Sequence, residues 1–190
     1  MNLWLRLLIY LVRVRFMGAL DVPNGVSRLA FRCLPTDLDT SLHMNNGRYL
    51  TLMDLGRLDV MVRSGLWRPL LRHGWTPIAS TITIRFRREL RLFQRVDLET
   101  RLLAWSGVNV VMEQVFVIAS GPRSGEIAAR ALFKGGLYDR KARAFVPVAR
   151  LMDELGVSHD SPPHSAEIEA FLAADEALRR PASGQPPAAP

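Results

Sequence analysis

Residues 45–65, Asn-Asn-Gly-Arg-Tyr-Leu-Thr-Leu-Met-Asp-Leu-Gly-Arg-Leu-Asp-Val-Met-Val-Arg-Ser-Gly, decide the architecture. From Arg48 to Arg63 there is no proline and one glycine. Tyr49, Leu50, Leu52, Met53, Leu55, Leu58, Val60, Met61 and Val62 fall on most sides of a helical cylinder. A helix this apolar all round is normally buried. Asn45 or Asn46 can cap its start by accepting a backbone N–H, and Gly65 supplies a stop. The stretch predicts a buried central helix.

Upstream, Leu29, Phe31 and Cys33 alternate with Arg28, Ala30 and Arg32, as in a half-buried strand. Residues 35–41 then read as a loop. Downstream, Trp75 to Arg87 reads as one long strand, with Ile82, Ile84 and Phe86 on one face and Thr81, Thr83, Arg85 and Arg87 on the other. Val96 to Trp105, Asn109 to Ser120 and Glu126 to Asp139 follow, separated by Ser106-Gly107 and by residues 121–125. Such short turns imply an antiparallel meander, and Gly135-Gly136 marks a bulge or bend. Pro147 to Leu155 and Glu167 to Arg180 read as helices. One sheet curling around one helix satisfies this order, an α+β layer fold. The expected divisions are an apolar and basic N-terminal helix (1–24), the α+β domain (25–156), an acidic helical appendage (157–180) and a disordered Pro/Ala/Gly/Ser tail (181–190).

The chain has 190 residues, of which 48% are hydrophobic and 23% charged, which excludes collagenous and wholly disordered classes. Its net charge is +7, and residues 151–190 hold seven of the 18 acids, so the positive charge concentrates in residues 1–150. A basic body points to an anionic partner: nucleic acid, anionic lipid or a phosphorylated small molecule. The lone Cys33 excludes an intramolecular disulfide and a cysteine-based zinc cluster, and a reducing cytoplasm is expected. His43, His73, His159 and His164 lack ligand spacing, so no metal is expected. No nucleophile-elbow motif is present.

Residues 3–20 are apolar but interrupted by Arg6, Arg13 and Arg15, and the longest uncharged run, Leu7 to Val12, is far short of the ~20 residues a spanning helix needs. Two readings stand. The segment covers an exposed face of the domain or of a partner subunit, or it lies in a membrane interface with its arginines at the headgroups, peripheral at the inner membrane face.

Residues 37–50, Asp-Leu-Asp-Thr-Ser-Leu-His-Met-Asn-Asn-Gly-Arg-Tyr-Leu, resemble the D-x-D-x-x-G-H-x-N-N-x-x-Y segment of hotdog-fold acyl-CoA thioesterases of the 4-hydroxybenzoyl-CoA thioesterase type. Leu-Pro-x-Asp-Leu-Asp before His-Met-Asn-Asn resembles the thioesterase-superfamily member 6-like branch. Asp54 and Arg57 fit acidic and arginine positions downstream. One position departs: the glycine usual before the histidine is Leu42. The resemblance implies a hotdog fold, an acyl-CoA substrate, no external cofactor, and sites built between subunits of a homodimer or higher homo-oligomer.

Thioester hydrolysis needs a carboxylate to attack or to activate water, and a donor for the developing oxyanion. Asp39 precedes the helix, whose first N–H groups lack intrahelical partners and sit at its positive end. The resemblance implies that Asp39 is the catalytic carboxylate and Asn46 the amide donor, with Asn45 and Gly47 beside the substrate. The alternative is that Asp37 and Asp39 order an Asx-type loop. Asp54 is the rival carboxylate, or the ion-pair partner of Arg57 or Arg48. His43 orients water or substrate, or bonds to backbone. Arg85, Arg87, Arg88, Arg91 and Arg95 form a cluster suited to the phosphates of coenzyme A, or a charged strand edge that resists aggregation. RNA binding would call for aromatic side chains stacked among the arginines. Phe86 falls on the apolar face, so nucleic acid is not expected. A non-catalytic acyl- or lipid-binding protein at a membrane surface is the alternative function.

Overall fold

The computed structural model describes residues 3–179. Helix α1 (Leu3–Arg13) leads through a 3₁₀ turn to β1 (Val26–Arg32), then to the long helix α2 (Asn46–Arg63) and the short α3 (Trp67–His73). Strands β2 (Trp75–Phe86), β3 (Arg95–Ser106), β4 (Asn109–Ile118), β5 (Ile127–Asp139) and β6 (Ala144–Phe145) precede α4 (Val148–Leu155) and α5 (Ala166–Arg179). The tail expected at 181–190 lies outside the described residues.

The sheet runs β1-β3-β4-β5-β2, all antiparallel, with β6 on β5. Strands β3 to β5 form the meander expected from their turns. β2 does not join it beside β3. Residues 87–94 carry the chain across the fold, leaving β2 on β5 and β1 on β3. The irregularity expected at Gly135-Gly136 falls on the facing strand: the register shifts between Ala79 and Thr81 of β2, opposite Gly135 and Lys134.

α2 lies in the curve of this hotdog sheet. Its Tyr49, Leu52, Met53 and Leu55 pack with Leu98, Phe116, Ile118 and Ala131 of the sheet's inner face. Contact is closest at Gly56, where a Cβ would collide with the Thr100 hydroxyl of β3. Gln114 of β4, fully buried, donates Nε2–H to Met53 O at 2.9 Å and braces the helix to the sheet. Burial is not complete, as an all-apolar helix would suggest. Leu50 and Asp54 are exposed and Arg57 and Met61 half-buried along one stripe, because one sheet covers only part of the cylinder.

The outer face of the sheet is covered by α5, whose Ile168 and Phe171 pack on Ala104 and Val111. Polar pairs clamp it there: Lys134 with Asp175, and Arg130 with Glu167 at 2.7 Å. α1 is tied down by the buried Arg6–Asp37 ion pair and by the burial of Tyr10. This corrects one expectation: Arg6 does not reach out to lipid headgroups. It points inward, because Asp37 is buried and needs a counter-charge. No helix among the described residues is long and apolar enough to cross a membrane.

Candidate active site

The segment before α2 is shaped by its own polar groups. Asp37 is 1% exposed; it accepts the Leu34 N–H at 2.9 Å, lies 3.8 Å from Arg48, and its carbonyl accepts the Asn45 N–H. Asp37 is therefore a structural post. Asp39, two residues on, is half-buried and faces outward. Its Oδ1 accepts the Ser41 N–H at 2.9 Å and stands 3.6 Å from His43 Nδ1. The Asx turn and an available carboxylate coexist, since Oδ2 makes no hydrogen bond among the described residues.

His43 is held between two carboxylates. Its Nε2 lies 4.0 Å from Glu89, a residue the sequence reading passed over. Glu89 sits on the 87–94 crossing, far from the motif in sequence, and only the tertiary path brings it close. Arg91 beside it holds the Glu89 carboxyl below the usual carboxylate range. The crossing is stitched to the motif loop through Met44 N–H to Leu90 O at 2.8 Å and a bridge between His43 and Arg91.

At the helix start, Asn45 is the cap, and its Oδ1 accepts the Gly47 N–H at 2.9 Å. That N–H is thus already engaged by the cap. An oxyanion donor at this end would be the N–H of Asn46, at the first helical position where no intrahelical acceptor exists.

Arg85, Arg87 and Arg88 are all exposed where β2 ends. The ring of Phe86 packs edge-on against Tyr49 of the first turn of α2, with centroids 5.1 Å apart. Arg85 alternates with Phe86 and pairs in register with Arg130, so it lies on the outer face with α5 and away from α2, which corrects its expected place beside the site. Arg87 and Arg88 follow at the turn. Arg88 also meets Glu126 at 2.7 Å.

Asp54 is not brought to Asp39. It lies eight residues beyond Asn46, roughly 12 Å along the helix axis. It pairs with Arg57, as one of its two readings anticipated, and its side chain is 63% exposed. Arg57 in turn donates to Gln114 at 2.5 Å and lies over the Phe133 ring at 4.4 Å. Asp54 and Arg57 edge an apolar cleft of about 200 Å³ lined by Met61, Leu102, Met112 and Phe133 among others. The buried Cys33 is not a nucleophile: burial pushes its thiol up to about 11, so it stays protonated at neutral pH.

A family model described as the thioesterase-like superfamily matches residues 33–173. The chain is 43% identical over 84 residues to protein THEM6 of Xenopus laevis, covering 44% of this chain and 41% of that protein. It spans about half or less of the length of the THEM6 proteins it matches. It is 26% identical over 106 residues to the long-chain acyl-CoA thioesterase FadM of Escherichia coli, covering 56% of this chain and 78% of FadM. Among solved structures, YbaW of Escherichia coli superposes with a TM-score of 0.62 at 23% identity, over 67% of this chain and 95% of that one.

Proposed function

We infer the chemistry of this chain from the family to which it belongs, the thioesterase-like superfamily: hydrolysis of an acyl-CoA thioester to a free acid and coenzyme A. Asp39 takes a proton from water as the water oxygen bonds to the thioester carbon, or Asp39 attacks that carbon itself and water releases the acid. The C–S bond breaks and the thiolate leaves as the thiol after protonation. The positive end of α2, through the Asn46 N–H, offsets the charge that builds on the carbonyl oxygen. His43 and the Asn45 cap fix the loop that presents Asp39. Arg87 and Arg88, at the turn after β2, receive the phosphates of coenzyme A. The apolar cleft beside Asp54 and Arg57 suits the acyl chain. A homodimer in the cytoplasm belongs to the reading, since the open stripe of α2 leaves the site half uncovered in one copy.

One observation carries this proposal. Asp39 and His43 stand side by side before the N-terminus of a buried helix, with the 87–94 crossing stitched against them. The test is a panel of short, long and aryl acyl-CoAs with free thiol as the readout. Asp39→Asn is expected to cut turnover by about 10²–10⁴ in a folded protein, the range for loss of a general base. Near-normal turnover in that variant, with loss in Asp54→Asn, moves the chemistry to Asp54. Acyl-CoA binding without thiol release from any substrate supports a non-catalytic acyl-binding protein.

A further inference from the structure

Surface helices normally turn charge to solvent, and α1 does the reverse. Its buried residues are Arg6 and Tyr10. Trp4, Leu5, Leu8, Ile9, Leu11 and Val12 are 44–73% exposed. At about 100° per residue these six fall on one continuous arc with no charged side chain among them. Phe16, just beyond the helix, is 87% exposed. A contiguous apolar surface of this kind marks an interaction site.

The surroundings of the arc are basic. Arg13 and Arg15 are exposed at the C-terminal end of α1. Between α1 and β1, an edge strand, runs a groove of about 320 Å³ bordered by Arg13, Arg28 and Arg32, with Leu29 and Phe31 within it. Of these arginines, Arg28 is engaged by Glu99 at 3.0 Å, while Arg13 and Arg32 form no ion pair among the described residues.

We propose that this end of the molecule docks on an anionic phospholipid bilayer. The apolar arc enters the boundary between headgroups and acyl chains, and Arg13, Arg15 and Arg32 meet the headgroup phosphates. At 11 residues α1 is too short to span, so it lies in the interface plane. A second copy fits this face less well. A self-complementary contact would set these arginines against their own counterparts, a like-charge juxtaposition. The proposal does not depend on the chemistry at Asp39.

The experiment is sedimentation of the intact chain with phosphatidylcholine vesicles, with and without phosphatidylglycerol. Binding is expected only when the anionic lipid is present, and it weakens as salt rises. Leu8→Asp, at an exposed position, abolishes it without changing the circular dichroism spectrum. Reversing Arg13 and Arg15 to Glu lowers affinity by roughly 30-fold or more, since each lost cation costs about 1 kcal/mol at such a surface. Hydrolysis of soluble acyl-CoA, where present, is unchanged in these variants. An intact chain that ignores anionic vesicles overturns the proposal. So does a sizing column on which Leu8→Asp halves the particle mass, which assigns the arc to a second copy.

Discussion

Leu42 stands in the left-handed region at φ 62°, with its side chain 74% exposed, in the loop between Asp39 and His43. It occupies the position where the motif of the resembled family carries glycine. That conformation crowds Cβ against the backbone and costs a non-glycine residue about 1–2 kcal/mol. The glycine is thus a backbone requirement, and its absence leaves the turn intact. Leu42 N–H still bonds Asp39 O at 3.1 Å and Asp39 N–H still bonds His43 O at 3.0 Å. Leu42→Gly is expected to stabilise the protein by about 0.5–1 kcal/mol, after glycine's greater unfolded-state freedom offsets part of the relief. A higher urea midpoint checks it. A lower midpoint means that the exposed leucine packs against something outside this chain.

At the scale of elements, α1 and α5 hold to the domain through buried charge as well as apolar contact. Arg6→Met strands Asp37 in the interior with only Arg48 at 3.8 Å, so a loss of about 3 kcal/mol is expected, the lower end for breaking a buried pair. The companion Arg6→Met/Asp37→Asn variant is expected to recover part of it in the same denaturant titration. Deleting residues 1–20 carries the same penalty, which is why point substitutions on the outer arc are the better probe of membrane docking. α5 follows pH. Hydrogen bonds from Lys134 and Thr81 hold the Asp175 carboxyl below its ordinary value of 3.8. A depressed pKa stabilises the fold above the unfolded value and the gain is lost as pH falls through the folded one. Between pH 5 and pH 3 the urea midpoint should therefore fall more steeply for the intact chain than for Asp175→Asn. Equal slopes remove Asp175 from acid sensitivity. These elements were visible in the sequence as helices because their residue patterns are local. Their anchors were not: Arg6 finds Asp37 across 31 positions and Lys134 finds Asp175 across 41. α3 was missed, its run of Trp67 to His73 broken by Pro69.

Across the whole molecule, the local parts of the candidate site were legible. Asp39, His43 and the Asn45 cap lie within one short motif whose spacing is its geometry. Glu89 was not legible, because the 87–94 crossing that delivers it looks like any connection between two strands. That same crossing carries Arg87, Arg88 and Arg91 and is joined to the motif loop at Leu90 and Arg91, so its arginines can be tested as readers of nucleotide. Arg87 and Arg88 share the Ala128 carbonyl through their backbone N–H groups, at 2.8 and 3.0 Å, so the backbone holds the turn whatever the side chains are. Removing both side chains should leave the fold intact. If guanidinium groups here hold the phosphates of coenzyme A, Arg87→Ala/Arg88→Ala raises KM for acyl-CoA by roughly 10- to 100-fold, the worth of one charge-assisted hydrogen bond. Thioesters of N-acetylcysteamine carry the same acyl group and no phosphate, and their kcat/KM should barely change. An equal loss on both substrates would mean that Arg88 serves the fold through Glu126 and that the phosphates are read elsewhere.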